Sequence, residues 1–247
     1  DTIRAIRGVE SVSAAKVYYP ASIDSNQLAN IQQVWEKHEL KGEGMVVSII
    51  DSGIDPTHKD LRLSEETKEK ISLQVGEESA KKLGYGEAFT RKVPYGHNYA
   101  DNSEDIVDTN PGTGMHGMHV AGIVAANGVG EDPAKAVLGV APEAQVLAMK
   151  VFPNNRRVST TLDDDVMAAI EDSVKLGADV LNMSLGSPSG TADPNSPEQI
   201  VIREASEAGV LSVISAGNSG LSSTDNLFVN PQNKLGTIDT GTLGLSL

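Results

Sequence analysis

The chain has 247 residues, a formal net charge of −14 at pH 7, 4% aromatic residues and no cysteine. An acidic surface repels phosphate backbones, so no nucleic-acid partner is expected. The lack of cysteine excludes disulfides and thiolate chemistry. The length suits one large α/β domain. Because aromatic residues are scarce and glycine occurs 24 times, small aliphatic side chains must fill a core in which helices pack closely on a buried parallel sheet.

The first predicted elements precede a buried strand. Residues 1–20 indicate a short helix and an edge-type strand, and residues 24–40 have the spacing of an amphipathic helix. The sequence opens without Met and without a signal peptide, so we expect its numbering to start inside a longer precursor. No apolar run approaches the roughly 18 residues of a membrane span, so none is expected in this chain. A β-branched run at residues 45–50 then predicts a strand that ends at Asp51.

A long polar region follows this strand. Residues 61–92 are highly charged, include a helical stretch at residues 64–70 and are interpreted as a surface insertion. Residues 101–110 are acidic and typical of a loop. The pattern over residues 116–127 predicts a helix, and Gly128 is a suitable stop after it.

Strands and helices alternate in the second half of the chain. The predicted strands are residues 144–151, 179–185 and 210–215. The predicted helices between them are residues 164–176 and 197–208. This alternation is typical of right-handed βαβ units, so the sequence predicts an α/β fold with a mostly parallel sheet.

Polar residues stand where these predicted strands end and where one helix begins. Ligand and active sites in open parallel sheets form beyond the carboxyl ends of the strands, so these positions converge on one candidate site. The candidate residues are Asp51, His116, Ser184, Leu185, Gly186, Gly217 and Asn218.

The chemistry of three of these residues is complementary. Asp51 can orient an imidazole, His116 can act as a general base for a hydroxyl nucleophile, and the Asn218 amide can donate to an oxyanion. Each residue alone has another explanation, because Asp-Ser-Gly and Asn-Ser-Gly are common turn sequences.

Residues 116–122, with the sequence HGMHVAG, are harder to explain as core filling. Two histidines three residues apart lie near one another on a helix, and the small residues permit close approach of another backbone. A metal hydrolase using His116, His119 and Asp51 is one alternative. The Glu of the His-Glu-x-x-His zinc motif is missing from this segment, which counts against it.

The segments Asp51-Ser52-Gly53, 116–122 and Ser215-Ala216-Gly217-Asn218 resemble the subtilisin family in content, order and spacing. The resemblance implies a subtilisin-like doubly wound sheet with helices on both faces. It also implies that Asp51 is the triad aspartate, His116 the triad base and Asn218 the oxyanion donor. Ser184-Leu185-Gly186, together with Gly217, would then bind extended protein or peptide substrates through their backbone.

Within that family, the sequence looks like the lactocepin group, the cell-envelope proteinases of lactic acid bacteria and streptococci. The similarity lies in Met118, where Thr is usual, and in residues 55–60, 93–101 and 181–187. It implies a serine endopeptidase that is secreted or associated with the cell wall of a Gram-positive bacterium. By the same similarity, residues 1–20 resemble the tail of a propeptide and residues 21–247 the N-terminal part of the catalytic domain.

One part of the family pattern is missing. The family's serine lies in a Gly-Thr-Ser-Met-Ala type of segment, and nothing after Asn218 matches it. We therefore expect a C-terminally incomplete catalytic domain that is inert as an isolated chain. The alternative is a catalytically inactive pseudo-protease or peptide-binding fragment that keeps the substrate groove.

No cofactor is required by this interpretation, and no metal ligands are assigned. Subtilisin relatives often bind calcium, and the acidic residues 101–105 offer oxygen ligands. Their spacing does not match an EF-hand, and a solvated acidic loop explains them as well. Calcium is thus a possible ligand whose binding residues are unknown.

Overall fold

A computed structural model of the chain describes residue 26 and residues 28–128, 137–186 and 195–215. The strands in these ranges are β1 (Val46–Asp51), β2 (Tyr95–Asn98), β3 (Gln145–Lys150), β4 (Val180–Met183) and β5 (Leu211–Ile214). The helices are α1 (Ile31–His38), α2 (Leu73–Leu83), α3 (His116–Ala125), α4 (Asp163–Lys175) and α5 (Pro197–Glu207).

The five strands form one parallel sheet in the order β2-β3-β1-β4-β5. The predicted α/β fold with a parallel sheet is confirmed. The chain runs from β3 to β4 across β1, which therefore lies at the centre of the sheet. Its carboxyl end, at Asp51, is close to the point where the winding direction changes, and this is where open α/β sheets bind ligands.

Side chains of β1 alternate between two apolar layers, one on each face of the sheet. Val46 and Ile50 belong to the layer that includes Val166 of α4 and Ile202 of α5. Val47 and Ile49 belong to the other layer, which includes residues of α3. Helices thus cover both faces, and the alternation places Asp51 on the α3 face.

Two elements were not predicted as such, and one predicted helix is wrong. Residues 64–70 are not helical, because the hydroxyls of Ser64 and Thr67 donate to the carboxylate of Glu143 at 2.5 and 2.6 Å instead. The helix of this region is α2, which begins after Ser72, whose side chain accepts a hydrogen bond from the Val75 N–H. Strand β2, at the edge of the sheet, was the other omission.

The region predicted as a surface insertion, residues 61–92, in fact contributes to the interior. Ile71 is buried in the apolar layer beneath α4 and α5. Lys92 is buried too, and its ammonium donates to the Pro142 carbonyl at 2.7 Å. The high density of charged residues in this segment therefore gave a wrong prediction of which side chains are exposed to water.

Helix boundaries differ from the predictions where caps were misassigned. Helix α3 ends at Ala125 with Ala126 as its C-cap, so Gly128 is not its stop. Helix α1 begins after Asn30 and buries none of its residues among those described. Within the described ranges, no helix is both long enough and apolar enough to cross a membrane. The predicted propeptide-like tail, residues 1–20, lies outside the described residues.

Candidate active site

The structure brings Asp51 and His116 together at the carboxyl end of β1. The Nδ1 atom of His116 lies 2.9 Å from Oδ1 and 3.0 Å from Oδ2 of Asp51. The carboxylate is buried, with 2% of its side chain exposed, whereas the imidazole is 53% exposed. Asp51 is thus inside the protein, whereas His116 is open to solvent.

The environment of Asp51 follows from its place at the end of a buried strand. Its Oδ1 atom also accepts a 2.6 Å hydrogen bond from the Ser52 N–H. Burial raises the pKa of Asp51 above its usual range, although the hydrogen bonds from His116 and Ser52 favour the ionised form. An ionised carboxylate in this position is therefore stabilised mainly by its contact with the imidazole.

His116 is placed by the tight loop that leads into α3. The N-cap residue Met115 has a φ of 55°, a left-handed conformation that is uncommon for a residue with a side chain. Its N–H donates to Oδ2 of Asp108 at 3.0 Å. The hydroxyl of Thr113 donates to the same carboxylate, and the His116 N–H donates to the Thr113 carbonyl at 3.1 Å. Asp108 is therefore the acceptor around which this loop folds.

A buried asparagine ties the same loop to the segment after β3. The Nδ2 atom of Asn110 lies within 3.1 Å of the carbonyl oxygens of Pro153, Asn155 and Val158. Its Oδ1 atom accepts a hydrogen bond from the Gly112 N–H at 2.9 Å. This network limits the positions that the start of α3 can adopt.

Helix α3 is also held directly against the end of β1. The Gly117 N–H, one of the helix's first donors, donates to the Ser52 hydroxyl at 3.0 Å. Gly117 itself is in close contact, because a Cβ atom there would lie 2.6 Å from the Gly53 carbonyl oxygen. Neither Ser52 nor Asp108 was predicted as a site residue. Their polar side chains at loop positions beside Asp51 and His116 were the available signal.

The predicted substrate-binding segment lies beside this pair. Residues 184–186 directly follow β4, which is hydrogen-bonded to β1, so they leave the sheet at the same edge as Asp51. Ser184 and Leu185 are half-buried and Gly186 is exposed. The Leu185 carbonyl accepts a 3.2 Å hydrogen bond from the Ser215 hydroxyl.

The remaining predicted site residues, Gly217 and Asn218, lie outside the described residues. His119 is exposed on α3. In the part of the chain that the structure describes, no group of three or more His, Asp or Glu side chains is arranged to hold a metal ion. The pair that the structure assembles from the predicted set is thus Asp51 and His116.

This pair can move a proton at one defined atom. With Nδ1 held by the carboxylate, the ring's Nε2 atom can accept a proton from a hydroxyl and return it to a leaving group. The carboxylate would stabilise the imidazolium that forms between these two transfers. A nucleophile and an oxyanion donor would complete a site for acyl transfer.

The chain is similar in sequence to known proteinases and peptidases. The family model described as the subtilase family matches residues 42–240. The chain is 53% identical over 228 residues to the PI-type proteinase of Lactococcus lactis subsp. cremoris, covering 92% of the chain and 12% of that protein. The same identity and shares hold for the PII-type proteinase of Lacticaseibacillus paracasei. A C5a peptidase of Streptococcus pyogenes is 36% identical over 201 residues, which are 79% of the chain and 16% of that protein. The chain therefore spans only a small part of the length of these relatives.

Proposed function

Because this chain belongs to the subtilase family, we propose that it supplies the acid–base half of a serine endopeptidase. In this proposal Asp51 orients His116, His116 is the general base, and Asn218 donates to the oxyanion. The nucleophilic serine comes from a part of the polypeptide other than these 247 residues.

The observation that carries the proposal is the contact between a buried carboxylate and a half-exposed imidazole at 2.9 Å. Asp51 holds the Nδ1–H tautomer of His116, so Nε2 removes the proton from the serine hydroxyl as the oxygen attacks the peptide carbonyl. Nε2 then gives that proton to the leaving amine when the C–N bond breaks. Water repeats the sequence on the acyl-enzyme and restores the serine.

Protein substrates are proposed from two features. The relatives named above are proteinases, and residues 184–186 extend from β4 at the edge where the Asp51–His116 pair lies. An extended peptide laid along Ser184-Leu185-Gly186 would pair through its backbone and so tolerate many side chains. The lactocepin resemblance adds the proposal that the protein is secreted or associated with the cell wall.

The isolated 247-residue chain should be nearly inactive. A triad enzyme without its nucleophile keeps only roughly 10³–10⁴-fold catalysis over water, a magnitude known from subtilisin and its analogues rather than from this structure. Turnover by the isolated chain that a serine-directed reagent abolishes would contradict this part of the proposal.

The decisive experiment uses the complete polypeptide that contains this chain, with casein as a general protein substrate. His116→Ala should lower kcat by at least about 10⁴-fold. The matched control is His119→Ala, which removes an exposed histidine of the same helix and should leave kcat within about twofold. Wild-type activity should also disappear after reaction with an organophosphonate that labels active serines.

Two other outcomes would favour a different function for this protein. A complete polypeptide that binds casein and never cleaves it would favour the pseudo-protease. Equal losses in the two histidine variants, together with activity that chelators remove and the organophosphonate spares, would favour the metal hydrolase.

A further inference from the structure

Lys150 ends β3 directly beside Asp51. The two residues are register partners in the parallel pairing of β1 with β3, so their Cα atoms lie about 4.8 Å apart. Lys150 shares the alternation of Val146 and Ala148, which face α3, as Asp51 does. Both side chains therefore emerge on the same face of the sheet, and Lys150 is 0% exposed.

The ammonium of Lys150 binds the turn that follows Asp51. Its Nζ atom donates to the Ser52 carbonyl. Its aliphatic part passes next to Gly53, where an added Cβ atom would lie 3.1 Å from the Lys150 Cδ atom. The hydroxyl of Ser52 meanwhile accepts the N–H of Gly117 in α3. One residue, Ser52, thus links Lys150 to the helix that carries His116.

The charges around this ammonium include those of the candidate site. Burial lowers the pKa of Lys150, and nearby carboxylates oppose that shift. These carboxylates belong to Asp108, Asp101, Asp105 and Asp51. Asp108 also acts on Asp51, since its negative charge adds to the burial that raises the pKa of Asp51. The imidazole of His116, on α3, contacts this cluster through the carboxylate of Asp51.

We propose that Lys150 is a positioning residue whose buried ammonium fixes the Asp51–Ser52 turn and, against Asp108, sets the electrostatic environment in which His116 gains and loses its proton. This inference rests on the proposed function, in which His116 is the base. A positive charge at Lys150 disfavours a second positive charge on the imidazole, and a negative charge at Asp108 favours it. The two residues should therefore shift the pH dependence in opposite directions.

A second buried lysine allows a purely structural role to be distinguished. Lys92 is 1% exposed and its ammonium also donates to a backbone carbonyl, that of Pro142. It lies at the opposite end of β3, where its own carbonyl accepts the Val146 N–H. Val146 and Lys150 are separated by roughly 13 Å of strand. Loss of either lysine removes a buried ammonium, and only Lys150 adjoins the Asp51–His116 pair.

The experiment measures kcat/KM against pH for the complete polypeptide and reads the acid-side midpoint, where the base becomes protonated. Lys150→Met should move this midpoint up by about half a pH unit, since a buried positive charge is lost. Asp108→Asn should move it down by a similar amount. The double variant removes one charge of each sign and should therefore return the midpoint to within about 0.2 pH unit of wild type. Lys92→Met should leave it unchanged, even where the unfolding temperature shifts.

An unchanged or lowered midpoint in Lys150→Met would overturn the inference. If that variant does not fold, Asp108→Asn decides, and an unchanged or raised midpoint there has the same consequence. A general loss of packing would lower kcat in both variants without opposite shifts of the midpoint. If the wild-type polypeptide shows no hydrolysis that depends on His116, the proposed function fails first and this inference fails with it. An active wild type with unmoved midpoints removes the role of Lys150 alone.

Discussion

Gly117→Ala is the substitution that most directly tests how α3 is seated on the end of β1. Gly117 follows His116 in the helix, and its backbone N–H donates to Ser52. A Cβ atom there would lie 2.6 Å from the Gly53 carbonyl oxygen, 2.8 Å from the Gly53 nitrogen and 3.1 Å from the Asp51 Cβ atom. All three atoms belong to the segment that carries the carboxylate, so the added methyl would push the histidine away from its partner.

The size of the effect follows from these distances. Ordinary contact begins at 3.4 Å, so α3 must retreat by about 0.8 Å to accommodate the methyl group. The 2.9 Å separation between His116 Nδ1 and Asp51 Oδ1 would then approach about 3.7 Å, which is beyond hydrogen-bond range. A displacement of this order in a catalytic group costs about 100-fold in rate, or roughly 2.7 kcal/mol in the barrier.

The assay compares kcat/KM of the complete polypeptide with that of Gly117→Ala, alongside thermal unfolding of both. The matched control is Gly122→Ala, five residues along the same helix, where an added Cβ would have no atom within 4 Å. Alanine is the better helix former, so this control should retain kcat/KM within about twofold and gain up to about 1 kcal/mol in stability.

Wild-type kcat/KM in Gly117→Ala would contradict this prediction. Equal losses of activity in the two glycine variants would also contradict it, because steric contact with the Asp51 segment would then not be the cause.

Three further predictions test individual contacts of the site and of the core. Asp51→Asn should lower kcat by about 10⁴-fold, the magnitude known for triad enzymes. It should not lower the free energy of unfolding at pH 7, because burial raises the pKa of Asp51 and disfavours its ionised form. Enzyme kinetics and urea unfolding of one preparation test the two effects, and a loss of stability alongside the loss of activity would contradict the prediction. Burial lowers the pKa of Lys92 from 10.5 to about 7, so the unfolded chain binds more protons than the folded chain between these pH values. The free energy of unfolding of the wild type should therefore rise with pH across this window, because the cost of burying a charged Lys92 disappears. The gain in unfolding free energy of Lys92→Met over wild type should accordingly fall by up to about 1.4 kcal/mol per pH unit across that window in urea titrations, and a constant difference would refute the assignment. Ser52→Ala removes the acceptor of the Gly117 N–H and should lower the free energy of unfolding by about 1–2 kcal/mol in the same assay, whereas an unchanged midpoint would mean that the N–H finds another partner.

Much of the framework could be predicted from the sequence because its signals are local. The aliphatic runs that became β1 and β3 end close to their predicted boundaries, and α5 begins at Pro197 as predicted, after the Ser196 cap. The family resemblance, drawn from three short segments, is confirmed by the subtilase match over residues 42–240. The roles of individual site residues stay predictions.

The errors arose where distant residues decide the local structure. Ser64 and Thr67 are not helical, because their hydroxyls donate hydrogen bonds to Glu143, which is distant in the sequence. Strand β2 is four residues long and includes Gly96 and His97, so it lacks the aliphatic run that marks a buried strand. Lys150 was not predicted as a site residue for a related reason, since its position beside Asp51 follows from the strand register.

Among the described contacts, those that position His116 join groups that lie between Asp51 and Val158 in the chain. If the nucleophile of the proposed function lies downstream, the proton-accepting pair can therefore assemble during synthesis before that nucleophile has been translated. The entropy of closing a flexible loop grows only with the logarithm of its length. A long insertion before the serine would then cost little, provided that it returned the hydroxyl to the rim of the sheet.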